Sequence, residues 1–128
     1  MSLLEKAISI AVEAHKGKKD KAGQIYILHP LRAMFRVDTE DEKIVAVLHD
    51  VVEDHSDVWP VKRLRKLGFP KRILDALDCV TKHEGESYED FIKRSASNPI
   101  ALKVKLADLE DNMMSDVCTR WREKISNG

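Results

Sequence analysis

Apolar residues recur along the chain at spacings of three and four, in stretches broken at short intervals by glycine, proline or polar clusters. That period is helical. Ser2 followed by Glu5 forms a capping box, and Leu4, Ala7, Ile8, Ala11 and Ala14 follow at helical spacing, with Gly17 as the stop. The stretch 18–28, KKDKAGQIYIL, reads as a loop. Pro30 suits the first turn of a second helix, with His29 beside its start and Leu31, Met34 and Phe35 as its apolar face. Thr39 and Glu42 form another capping box, opening a third helix through Ile44, Val45, Val47, Leu48, Val51 and Val52. This segment is apolar nearly all round, which predicts the central, buried helix. Its β-branched residues also suit a strand, but caps and length favour helix. A fourth helix near 58–67 stops at Gly68, and a fifth starts at Pro70 with Ile73, Leu74, Leu77 and Val80 inward. Ser87 and Asp90 cap a sixth, with Phe91 and Ile92 inward, and Asn98-Pro99 starts a seventh running to about Met114. The pattern beyond fixes little. With helix following helix and no hairpin signal, the expected class is all-α, a single helical-bundle domain over 1–128.

Composition alters this picture only slightly. A chain of 128 residues, 43% hydrophobic and 34% charged, has room for one real core, and with 5% aromatics that core must be largely aliphatic. The charge balance, 22 basic against 22 acidic residues, gives no basic excess of the kind duplex nucleic acid requires, so no nucleic-acid partner is expected. The segment MSLLEKAISI is too polar for a signal sequence, and no stretch approaches the ~20 apolar residues of a membrane span, so neither secretion nor a membrane is expected. Cys79 and Cys118 match no zinc-ligand spacing and read as reduced, buried thiols of a cytoplasmic protein. Lys62, Arg63, Arg65, Lys66, Lys71 and Arg72 read first as a solvated face, and second as a surface for a partner or RNA.

The chemistry concentrates in the third helix. After a long apolar run it presents His49, Asp50, Glu53 and Asp54, and helical spacing sets His49 over Glu53 and Asp50 over Asp54. Crowding three acids is unfavourable unless a cation offsets them. An exposed helix end with solvated acids accounts for the same residues, although acids there oppose the helix dipole. In the seventh helix Lys105, Asp108 and Asn112 share one stripe, which on its own is ordinarily a solvated face. His29 alone reads equally as a cap or a packed residue, and His15, His55 and His83 receive no direct role.

Together, in order, these residues spell His…His-Asp…Asp. With the segments AHKGKKDKAGQIYILHP, AVLHDVVEDH, DCVTK and VKLADLEDNM, the chain resembles the HD superfamily of metal-dependent phosphohydrolases. The likeness is nearest to the hydrolase domain of RelA/SpoT-type alarmone enzymes and the stand-alone metazoan SpoT homologue, over about residues 3 to 115. It implies an HD-type helical bundle in which His29, His49, Asp50 and Asp108 hold a divalent metal, usually manganese. It implies that Glu53 and Asp54 help activate the attacking water, that Lys18 and Lys19 lie in a basic loop against the nucleotide, and that Asn112 touches substrate. Lys105 is expected either to add charge around the substrate or to steady an acid. The implied reaction removes the 3′-pyrophosphate of ppGpp, in the stringent response. The chemistry is compatible: two imidazoles and two carboxylates suit six-coordinate Mn²⁺ or Fe²⁺ better than zinc, and such an ion brings the pKa of a bound water near neutrality. An HD hydrolase of another nucleotide or small phosphate compound, or a catalytically silent HD module binding nucleotide or a partner protein, fits the same motifs. Oligomeric state is not readable from them.

Overall fold

A computed structural model describes the backbone over residues 1–112 and 115–127 and side chains over 1–112 and 119–126. Its elements are α1 (Leu3–Ala14), α2 (Leu28–Phe35), α3 (Glu40–Asp54), α4 (Val61–Lys66), α5 (Lys71–Val80), α6 (Tyr88–Ala96), α7 (Pro99–Asp111) and α8 (Ser115–Asn127). The described residues form no strand beyond one isolated bridge between Lys19 and Ile25, so the all-α reading holds. No helix among them is long and apolar enough to cross a membrane.

Both capping boxes are present, Ser2 with Glu5 and Thr39 with Glu42, each side chain satisfying the other residue's backbone N–H. Asn98 caps α7 by accepting from the N–H groups of Ile100 and Ala101, with Pro99 in the first turn where no N–H is needed. Gly17, at φ 80°, and Gly68, at φ 101°, take the left-handed backbone that ends α1 and α4.

The third helix is the axis of the molecule. Every residue from Ile44 to Val52 is buried, and α1, α2, α5 and α7 pack around it. Its valines and isoleucine serve as aliphatic filler on a helix buried on all sides, not as a strand. A smaller cluster of Phe91, Ile92, Leu109 and Trp121 joins α6, α7 and α8. Trp121 is 1% exposed, and its indole N–H donates to the Tyr88 hydroxyl at 2.7 Å.

The structure corrects several sequence expectations. Phe35 does not belong to the inward face of α2; it is 76% exposed. Pro30, Ala33 and Met34 fill the contact with α3 and α7, and the next position turns to solvent. α4 is shorter than expected because Pro60 stands immediately before its first turn. α7 is described to Asp111 with Asn112 as its cap, and Met113 and Met114, where the seventh helix was expected to end, lie outside the described residues. α8 had no clear sequence signature. Cys79 is free and half-buried, its thiol pKa raised by burial, while the Cys118 side chain lies outside the described residues. The basic residues from Lys62 to Arg72 are all exposed; Arg72 pairs with Asp41 and Lys71 with Asp75.

Candidate metal centre

Three helices aim polar side chains at one point. His29, in the first turn of α2, is 6% exposed; His49 and Asp50, on α3, are 1% and 8% exposed; Asp108, on α7, is 7% exposed. One donor atom from each lies within 4.8 Å of the donors of the other three. The Asp108 Oδ1 atom is the hub, 2.7 Å from His29 Nε2 and 3.2 Å from His49 Nε2. Asp50 closes the ring, with Oδ1 at 3.2 Å from His49 Nε2 and Oδ2 at 3.4 Å from His29 Nε2. So many ionisable groups withdrawn from water at contact distance need a compensating charge. Two imidazoles with two carboxylates are a suitable donor set for a divalent transition-metal ion.

Neighbouring groups fix how these donors face. The His49 Nδ1 atom is 2.7 Å from the Ala46 carbonyl oxygen. A carbonyl only accepts, so Nδ1 carries the proton and Nε2 faces the other three donors. The Tyr26 hydroxyl donates to Asp50 Oδ2 at 2.8 Å. Burial, reinforced by Asp50, raises the Tyr26 pKa far above its ordinary value, so this phenol remains a donor. Tyr26 is delivered by a tight hairpin. Its N–H donates to the Lys18 carbonyl at 2.9 Å, and Asp20 Oδ1 accepts from the N–H groups of Ala22 and Gln24. The segment read as a plain loop is therefore an ordered brace.

Charge is arranged accordingly. Burial opposes a charge on His49, but Asp50 and Asp108 outweigh it and raise its pKa to about 9. Burial likewise opposes ionisation of Asp108, yet His29, His49 and Lys105 hold its carboxyl far below the usual range. The Lys105 ammonium, half-buried, lies 3.4 Å from Asp108 Oδ2.

The expected patch on α3 divides in two. His49 and Asp50 lie inside, whereas Glu53 and Asp54, one turn on, are exposed at the rim. The Glu53 pKa is raised, chiefly by loss of water around its carboxyl, with Lys105 opposing and Asp50 adding to the rise. Asp54 is paired with Lys18 at 3.2 Å, and the Lys18 ammonium also sits 4.0 Å above the Tyr26 ring. Lys18 is thus engaged within the chain, while Lys19 and Asn112 are exposed. Sequence reasoning missed Tyr26, the Ala46 carbonyl and Asp111. Of these, only Asp111 had a usable signal, a second acid one turn beyond Asp108 on the same helix.

Beside Tyr26 lies His15, 2% exposed, its ring centroid 4.8 Å from that of Tyr26 and 5.3 Å from that of His55. Burial lowers the His15 pKa to about 4, against a partial rise from Asp50. The unfolded chain therefore binds this proton at higher pH than the folded one does. The contribution is fully present above about pH 6.5 and is lost as pH falls toward 4, up to about 3 kcal/mol. Urea unfolding at pH 7 and pH 4.5 should show a smaller acid loss in His15→Phe than in the wild type; equal losses would refute this.

No family model matches the chain. It is 30% identical over 122 residues to a guanosine-3′,5′-bis(diphosphate) 3′-pyrophosphohydrolase of Aquifex aeolicus, covering 86% of this chain and 17% of that protein. It is 31% identical over 126 residues to a bifunctional (p)ppGpp synthase/hydrolase RelA of Mycobacterium tuberculosis, covering 88% and 17%. It is 38% identical over 133 aligned positions to a putative chloroplastic GTP diphosphokinase of Arabidopsis thaliana, covering 88% and 15%. The chain spans less than a fifth of the length of these curated relatives.

Proposed function

We propose that this chain is an HD-type, metal-dependent phosphohydrolase that removes the 3′-pyrophosphate of ppGpp, a reading supported by its likeness over most of its length to proteins named as a ppGpp 3′-pyrophosphohydrolase and a (p)ppGpp synthase/hydrolase. The observation that carries this reading is the convergence of His29, His49, Asp50 and Asp108 from α2, α3 and α7, with Glu53 and Asp54 one turn outward. Those four residues would hold the cation, and their mixed nitrogen and oxygen donors favour manganese or ferrous iron. When bound, the cation supplies a lowered water pKa and neutralises phosphoryl charge.

The remaining work falls to the chain. Glu53, whose raised pKa brings it nearer neutrality, accepts the proton of the attacking water. Asp54, steadied by Lys18, orients that water. Water attacks the phosphorus bonded to the 3′ oxygen, the 3′-O–P bond breaks, and GDP and pyrophosphate result. The 3′ oxygen takes up a proton as it leaves. Lys105 offers positive charge beside Asp108, and Lys19 and Asn112 are the solvent-facing side chains we assign to the nucleotide.

The test is a substrate panel with Mn²⁺ covering ppGpp, GTP, GDP and nucleoside monophosphates. Pyrophosphate release from ppGpp well above every other compound is the expected result. Turnover of another nucleotide in its place would keep the chemistry and replace the substrate. No turnover of any, with metal bound, would leave a binding module.

A further inference from the structure

The chain carries a carboxylate outside the donor cluster that contacts one of its four members, His29. His29 lies between two acids: its Nε2 faces Asp108, while its Nδ1 is 2.6 Å from Asp111 Oδ2. The Asp111 side chain is 3% exposed. Its other oxygen, Oδ1, accepts from Arg32 Nε at 2.8 Å and lies 3.8 Å from Arg36 Nε. The two oxygens thus have separate partners, one for the imidazole and one for the guanidinium groups. All three partners come from α2 and its cap, whereas Asp111 ends α7.

We propose that Asp111 is the positioning residue for His29, holding a proton on Nδ1 and aiming Nε2 at the point where Asp50 and Asp108 converge, so that Nε2 is the nitrogen offered to a cation, with Arg32 and Arg36 keeping the carboxylate in place. This rests on the metal reading of the site. An ionised carboxylate only accepts, so Nδ1 carries a proton; Nε2, which also faces a carboxylate, would give up its own proton when a cation takes its place, leaving the Nδ1–H tautomer. A ligating imidazole ordinarily needs such a partner, and losing it weakens metal affinity by about ten- to a hundredfold. Asp111 acts through His29 and does not itself reach the donor cluster, which comprises His29, His49, Asp50 and Asp108 among the described residues.

The experiment compares the wild type with Asp111→Ala and Asp111→Asn by Mn²⁺ titration calorimetry, with ¹⁵N NMR of the His29 ring in protein loaded with diamagnetic Zn²⁺. Glu110→Gln serves as control, since Glu110 faces Arg36 and Arg122 and not His29. Expected are a tenfold or greater rise in the Mn²⁺ dissociation constant for Asp111→Ala, loss of the single Nδ1–H tautomer at His29, and an unchanged constant for Glu110→Gln. In a His29→Ala background the Asp111 change should add nothing. Affinity within twofold of wild type in a folded Asp111→Ala protein, or equal losses in both backgrounds, overturns the proposal and leaves the metal reading standing. A wild type that takes up no Mn²⁺ overturns the metal reading, and this one with it.

Discussion

Asp108→Ala is expected to abolish stoichiometric Mn²⁺ binding and to lower ppGpp turnover by about a thousandfold or more. The cost is large because a single oxygen of Asp108 approaches both imidazoles, His29 at 2.7 Å and His49 at 3.2 Å. Its removal takes away one of the four donors and leaves Lys105 without the carboxylate it faces at 3.4 Å. His49→Ala should behave alike, since its ring is the most deeply buried member of the set, 1% exposed. Metal content by mass spectrometry and turnover should fall together while far-UV dichroism stays helical. A folded Asp108→Ala protein with wild-type turnover would end the metal-site account.

Glu53→Gln should separate the two shells of acids. The expected outcome is Mn²⁺ affinity within about twofold of wild type and a rate lower by about a hundred- to ten-thousandfold, the range for loss of a general base. The position of Glu53 explains the split: it is exposed at the rim, one helical turn from the buried His49, and is not among the four clustered donors. Asp54→Asn should cost less, because Asp54 is already neutralised in part by Lys18. If Glu53→Gln loses its metal, the carboxylate is a ligand and the assigned roles are wrong. If it keeps full rate, the proton goes elsewhere.

The helices were legible where their causes are local. Ser2 with Glu5, Thr39 with Glu42, and Asn98-Pro99 announce helix starts through bonds that span a few residues, and the structure contains each of them. The burial of α3 was legible for the same reason, since a stretch apolar on every side has no solvent face to offer. Phe35 was misread because composition marks a residue as apolar without fixing its azimuth on a helix of only eight residues. Trp121 was invisible because its value lies in a distant pocket made by Tyr88 and Phe91. At the centre, helical spacing alone grouped His49 and Asp50 with Glu53 and Asp54, and it was the resemblance to the HD superfamily that implied the set His29, His49, Asp50 and Asp108. Their supports were not readable, because Tyr26 meets Asp50 across 24 residues and Asp111 meets His29 across 82. Contacts of that separation are created by the packing of α2 and α7 on α3.

His29 and Asp108 are 79 residues apart in the chain, and their meeting point is made only when α2, α3 and α7 are docked. An ion seated there would join distant parts of the chain much as a covalent cross-link does, yet reversibly and in proportion to its free concentration. Availability of metal would then govern the lifetime of the folded chain as well as its chemistry, so that a cell short of the ion would lose the protein along with its activity.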